Sequence, residues 1–410
     1  MFRLAVEHAQ PEHTLPKHLP TPPTKGRTIV IGAGKASAVM AQTLEQHWAG
    51  PLTGLVVTRY GYGADCQHIE IIEAAHPIPD QNSLLAAQRI TELAKQATAD
   101  DLVIVLLSGG GSSLLCAPAE GLDLNSKQRI HEALLHSGAS ISEINCVRRH
   151  LSRIKGGHLA LACAPAQVYN LIISDVPGDQ LTDIASGPTV GDPTTCADAL
   201  QIIDRYDVSI SAQVRKALQN NQLETPKPDN KQFARVHSRL IATAHQSLLA
   251  AAQGAQQAGY HSLILGDAIE GESREVAKVM AGIAQSIQRY QQPIAPPCVL
   301  LSGGETTVTV RHDGQGGPNV EFLLALLIAL DGRAGIYGLA ADTDGVDGSL
   351  DIAGAWIDDQ SLQKAWSMGL PPQQFLDRND AHRFFAQLGQ QIQTGPTHTN
   401  VNDFRALIIT

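Results

Sequence analysis

Residues 102–113 read LVIVLLSGGGSS. Six apolar residues in succession mark a β-strand buried on both faces, the habit of a parallel sheet. Three glycines and three hydroxyls follow the strand and precede a helix, where backbone N–H groups form an anion nest. Outward from this stretch, strands are expected at 28–32 (TIVIG), 54–58, 69–74 and 168–174, with helices over 35–48 and 80–97. Alternation of strand and helix predicts a doubly wound parallel sheet. The polar stretch 223–235 (LETPKPDNKQFAR) reads as a linker. Beyond it, strands at 239–242, 261–265, 299–302, 336–340 and 406–409 restart the pattern.

The expected architecture is α/β in two domains. The N-terminal one, residues 1–235, is Rossmann-like, a parallel sheet with helices on both faces. The C-terminal one, residues 236–410, is a smaller α/β domain, with a cleft between the two. The 410 residues suit two domains of ordinary size.

Composition narrows the function. A net charge of -10 and only 4% aromatic residues argue against binding nucleic acid. The six cysteines form no C-x-x-C pair, so neither a zinc ribbon nor a disulfide framework is expected. No apolar run reaches the ~20 residues of a membrane helix, and the Pro- and His-rich start lacks the apolar core of a signal peptide. The expected location is cytoplasmic.

In doubly wound sheets the chemistry lies at the carboxyl ends of strands. The first such end carries Gly32-Ala33-Gly34-Lys35-Ala36-Ser37. Small residues and a helix N-terminus suit a phosphate, and Lys35 adds a mobile positive charge. It is not a Walker A loop, because Ala36 follows the lysine. As a degenerate G-x-G-x-x-G it leaves a dinucleotide reading open. The next strand ends Thr58-Arg59, without the acidic ribose partner of a nicotinamide site. The loop of Ser108, Gly109, Gly110, Gly111, Ser112 and Ser113 is the stronger anion-binding signal, and it is not G-x-S-x-G.

His150-Leu151-Ser152-Arg153-Ile154-Lys155 is a basic cluster ahead of a helix. Arg153 and Lys155 are candidates for a substrate carboxylate or a phosphate. Asp175, Asp179 and Asp183 fall within nine residues after a strand, with Ser186 just beyond. Turn chemistry accounts for such residues. Their repetition at a strand end favours metal or general-base work. Further on stand Gly303-Gly304-Glu305, Asn319, the Asp342-Thr343-Asp344 run that departs from an EF-hand, and Thr397, Asn400 and Asp403.

These motifs, in this order, resemble the class II glycerate 2-kinases (the MOFRL family). The resemblance rests on GAGKAS (32–37), AHPIPD (75–80), LSGGGSSLL (107–115), INCVRRHLSRIKGG (144–157) and SDVPGDQLTDIASGPTVGDPT (174–194). It continues in GDAIEGESREVA (266–277), SGGETTV (302–308), AADTDGVDGSLDIAGAWID (340–358) and TGPTHTNVND (394–403). It implies ATP-dependent phosphorylation of D-glycerate to 2-phosphoglycerate with Mg²⁺. Lys35, Asp175, Asp179 and Asp183 are then the expected catalytic residues, and Asp342 and Asp344 the metal ligands. Gly34, the 108–113 loop, Arg153, Lys155, Ser186, Gly303, Gly304, Glu305, Asn319, Thr397, Asn400 and Asp403 would bind substrate or nucleotide. Two positions depart from the family pattern: Pro318 stands where many members have Arg, and His398 where Gly is common. The alternative is an NAD(P)H-dependent hydroxypyruvate reductase, a label some members carry. The expected partners are glycerate and ATP, with no nucleic acid and no membrane; a homodimer is compatible with the sequence.

Overall fold

The computed structural model describes residues 1–348 and 350–410. The chain forms two compact units. The first comprises residues 11–174 and 179–241, and the second residues 1–10, 175–178 and 242–410.

In the first unit the expected buried strands form. β1 (Thr28–Ala33) and β4 (Leu102–Leu107) are buried at every position, which follows from their unbroken apolar runs. With β2 (Leu52–Arg59), β3 (Ile69–Ala74), β5 (Gln167–Ile173) and β6 (Val236–Ala242) they make a six-stranded sheet of order β3-β2-β1-β4-β5-β6. β1 pairs in parallel with β2 and β4, β2 with β3, and β4 with β5. Helix Gln81–Lys95 packs on β1, β2 and β3 through Ala86, Ala87 and Ile90. Asp80 starts it with a capping box, its carboxylate accepting the Ser83 N–H. A satellite core joins helices Leu124–His136, Ile141–His150, Cys196–Arg205 and Ala212–Gln219.

The second unit is a mixed sheet built from β7 (His261–Gly266), β9 (Cys298–Ser302), β11 (Ile336–Asp342), β12 (Gly354–Ile357), β13 (Gln391–Ile392) and β14 (Asp403–Ile409). Their order is β13-β12-β11-β14-β9-β7. Only β7 and β9 run parallel; the other pairs are antiparallel. The short strands β8 (Gly271–Glu272) and β10 (Thr306–Thr307) pair beside it. Helix Pro318–Leu330 is apolar from Phe322 onward and fills the core, with Asn319 and Glu321 buried in its first turn. Pro318 sits at its first turn, where the missing N–H is no loss. No helix among the described residues is long and apolar enough to cross a membrane.

Two boundaries differ from expectation. Residues 236–242 are the edge strand of the first sheet, so the division falls at 241/242 rather than 235/236. Residues 1–10 belong to the second unit. Phe2 and Ala5 are buried on one stripe of helix Phe2–His8, and the Phe2 ring lies 5.7 Å from that of Phe404.

Candidate active site

The winding of the first sheet reverses between β1 and β4, and doubly wound folds bind ligands outside the strand ends at that point. The 32–37 turn and the 108–113 loop are those ends. They are joined directly. The Lys35 N–H donates to the Gly109 carbonyl (2.8 Å), and the Ala36 N–H to Ser108 Oγ (2.9 Å). Gly34 has φ 144°, and a Cβ there would lie 2.1 Å from Ser108 Oγ. Glycine is required for this close approach, not for approach to a phosphate. The N–H groups of Gly34 and Ser37 also donate inside the protein, to Val57 O (3.1 Å) and Gly34 O (3.2 Å). The amide cradle expected at 32–37 is therefore absent; these amides brace the neighbouring loop, and Lys35 contributes its side chain alone.

The 108–113 loop is different. Gly110 (φ 80°) leads into helix Gly111–Leu114. Among the described residues, no acceptor bonds the N–H groups of Gly109, Gly110 or Ser112. A Cβ at Gly110 would lie 2.9 Å from His76 Cδ2 and 3.4 Å from Lys35 Cγ. His76 and Lys35 thus flank the nest. His76 stands just past β3, inside the AHPIPD motif, yet the sequence reading gave it no role; only the sheet order brings it here.

The acidic loop divides between the units: Asp175 belongs to the second, Asp179 and Asp183 to the first. Asp183 is buried. It forms a 3.3 Å ion pair with Arg149 and accepts from Asn145 Nδ2 at 3.0 Å. Asn145 Oδ1 accepts from Ser186 Oγ (2.9 Å), whose hydroxyl lies 2.8 Å from Ser112 Oγ. Asp183 and Ser186 are thus linked to the glycine loop through Asn145 and Ser112, and the Asp183 carboxylate is engaged by Arg149 and Asn145. Asp179 is half-buried at φ 54°.

Arg153 and Lys155 do not act as a pair. Arg153 is exposed and donates to Pro118 O (2.8 Å). Lys155 is 1% exposed, donates to Leu115 O (2.6 Å), and lines a small cavity with Ser112, Ser113, Lys127 and Arg148. Burial brings its ammonium down to about 7.

In the second unit, Asn400 Nδ2 donates to Asp175 Oδ2 (2.9 Å) and Asn402 Nδ2 to Asp175 O (2.8 Å). Asp342 Oδ1 accepts the Asp344 N–H (2.9 Å), and Asp344 Oδ1 the Val346 N–H (2.8 Å). Thr397 ties this run to the last loop, its Oγ1 donating to Thr343 O (2.6 Å). His398 has φ 60°, a left-handed conformation that favours glycine, which is the physical content of that departure. Glu305 is exposed beside the buried Gly303. Gly304 (φ 115°) packs so closely on Ile269 that a Cβ would meet its carbonyl at 2.2 Å.

Asn319 and Asp403, expected as ligand contacts, are buried and bonded to each other. Asn319 Nδ2 donates to Asp403 Oδ1 (2.6 Å), and Arg405 pairs with Asp403 Oδ2. Asp347, unassigned by the sequence, accepts the N–H groups of Asn319 and Val320 at 3.0 Å each and caps helix Pro318–Leu330. Burial pushes its carboxyl up to about 7. Burial likewise raises that of Asp403, despite Arg405.

The only group of three His, Cys, Asp or Glu ligand atoms within 4.8 Å of one another among the described residues is His150, Cys196 and Glu224. The aspartates of the 342–344 run therefore make no all-protein cage. Their oxygen donors do fit Mg²⁺, which takes one or two carboxylates and completes its shell with water and phosphate. The negative field of Asp344 that helps raise Asp403 also favours a cation there.

A sheet of this order with a glycine-rich loop at its switch point is that of a doubly wound α/β protein. Residues 1–219 match the model described as "Domain of unknown function (DUF4147)", and residues 298–403 match the MOFRL family. The chain belongs to the class II glycerate kinase (MOFRL) family. It is 38% identical to D-glycerate 2-kinase of Thermotoga maritima, over 98% of this chain and 95% of that one. A protein of Agrobacterium vitis provisionally named hydroxypyruvate reductase is 48% identical, over 100% of this chain and 93% of the relative. The crystal structure of glycerate kinase from Thermotoga maritima superposes with a TM-score of 0.88, covering 100% of this chain and 97% of that one.

Proposed function

We propose that this chain transfers the γ-phosphoryl group of ATP to the C2 hydroxyl of D-glycerate, giving 2-phosphoglycerate and ADP. The observation that carries this reading is the loop at the switch point, with the N–H groups of Gly109, Gly110 and Ser112 open and Lys35 and His76 beside them. Such donors stabilise charge that builds on phosphoryl oxygens without reorganising during the reaction. The relatives named glycerate kinases support the choice of substrate.

In this account the Lys35 ammonium holds a phosphate oxygen, and the open amides hold the anion in place. Asp175, oriented by Asn400 and Asn402, accepts the proton of the attacking hydroxyl. Asp342 and Asp344 would hold Mg²⁺, whose charge offsets that of the nucleotide phosphates. A cytoplasmic location is proposed from the six free cysteines, five of them buried.

The name of the Agrobacterium vitis relative keeps a reductase on the table. The 32–37 turn supports it poorly, because its amides are engaged internally. The deciding experiment supplies D-glycerate, ATP and Mg²⁺ in one vessel and hydroxypyruvate with NADH or NADPH in another. ADP with 2-phosphoglycerate supports the kinase; cofactor oxidation without ADP refutes it.

A further inference from the structure

Behind the glycine loop the first unit holds a partly open cavity of about 30 Å³, room for two or three waters at ~10–15 Å³ each. Helices Leu124–His136 and Ile141–His150 supply its apolar walls, Ile130 and Val147 among them. Ser112 and Ser113 line the same space.

The charged side chains that line it, Lys127, Arg148 and Lys155, are all cationic. Lys127 and Lys155 are 9% and 1% exposed. Each ammonium makes a single hydrogen bond, to Leu151 O (2.7 Å) and Leu115 O (2.6 Å), although each carries three donors. Arg148 donates to Asn145 Oδ1 (3.2 Å) and to His131 Nδ1, so that ring nitrogen is an acceptor. None of the three cations has a carboxylate within 4 Å among the described residues. No Asp or Glu lines the cavity. Buried charge of one sign with no counter-charge is strongly unfavourable. By contrast the buried Arg149 is matched by Asp183 and Asp192.

We propose that this cavity binds one small anion, and that in turnover the anion is the carboxylate of the hydroxy-acid substrate. The assignment to substrate rests on the kinase reading above; the anion site does not. Ser112 belongs to both, since it is part of the glycine loop and lines the cavity. A carboxylate seated on Lys127 and Lys155 would be held by the same loop that holds the transferred phosphoryl group. Burial lowers the ammonium groups of Lys127 and Lys155 to about 8 and about 7, and a bound anion would draw both back up.

The test is diffraction from crystals of the whole protein soaked in sodium bromide, with and without D-glycerate, together with steady-state kinetics of Lys155→Met and Lys127→Met. A bromide peak in the cavity that D-glycerate displaces is the expected result. The variants should raise the KM for glycerate about tenfold or more, the worth of one charge-assisted hydrogen bond, with little change in the KM for ATP. Bromide that stays in the presence of saturating glycerate overturns the carboxylate assignment and leaves a free-anion site. No bromide in the wild-type crystal overturns the site itself, whether or not either variant folds. If the protein binds bromide here but turns over no glycerate, the kinase reading fails and the anion site stands.

Discussion

The backbone N–H of Lys35 donates to the carbonyl of Gly109 at 2.8 Å, which fastens the loop after β1 to the loop after β4. Lys35 is thereby anchored at its backbone, and its side chain runs past Gly110. A side chain placed this way can act on the anion without the loop having to reorganise.

Lys35→Ala should lower kcat/KM by about 100-fold or more, the usual cost of removing one preorganised charge donor. The melting temperature should change little, because the main-chain bond to Gly109 survives. Turnover like that of the wild type in a folded variant removes Lys35 from the chemistry.

Gly34→Ala acts on the fold instead. It must place a Cβ 2.1 Å from Ser108 Oγ at φ 144°. Strain at such a position costs about 1–3 kcal/mol before the clash is counted. Urea unfolding should show a lower midpoint with an unchanged slope. A neutral result would mean that the two loops are not packed as described.

Asp183→Asn separates a positioning role from a catalytic one. Breaking a buried ion pair by removing one partner costs about 3–5 kcal/mol. The variant should therefore lose stability first, and adding a stabilising osmolyte should restore part of the activity. Loss of turnover with full stability would return Asp183 to the chemistry.

The buried cations predict a dependence of stability on pH. Lys155 titrates near 7 when folded and near 10.5 as a free side chain. Between those values the unfolded chain binds the proton and the folded one does not, so stability rises with pH across that window. Lys127, Arg148 and His131 share the cavity, and Cys116 lies beside it. Lys127 titrates near 8 and adds the same sign. Lys155→Met should flatten the rise, read as melting temperature from pH 7 to 10 in a buffer free of chloride. An identical profile in the variant contradicts the assignment.

Much of the fold is written in apolar runs. LVIVLL and TIVIG identify themselves as buried strands, and the glycines after them as strand ends, because a two-faced strand leaves no polar position. The strand Val236–Ala242 is harder to read, since only Ile241 and Ala242 are buried and its other residues are exposed or half-buried. The N-terminal helix is equally obscure, with a stripe of only Phe2 and Ala5. At the candidate site, the glycine loop is legible in the sequence, but the different surroundings of Asp175 and Asp183 are not. Both belong to one acidic motif, and only the packing of Arg149 and Asn145 distinguishes them. Lys155 was picked out for its neighbours in sequence. Lys127 was not, because a lysine in LNSKQRIHEALLH reads as a solvated helix face until the cavity is seen.

The most direct test of the central claim is the identity of the product formed from D-glycerate, ATP and Mg²⁺, resolved by phosphorus NMR. ADP and 2-phosphoglycerate are expected in equal amounts, with no oxidation of NADH or NADPH in a parallel reaction with hydroxypyruvate. Cofactor oxidation without ADP, or no ADP at any glycerate concentration, would contradict it.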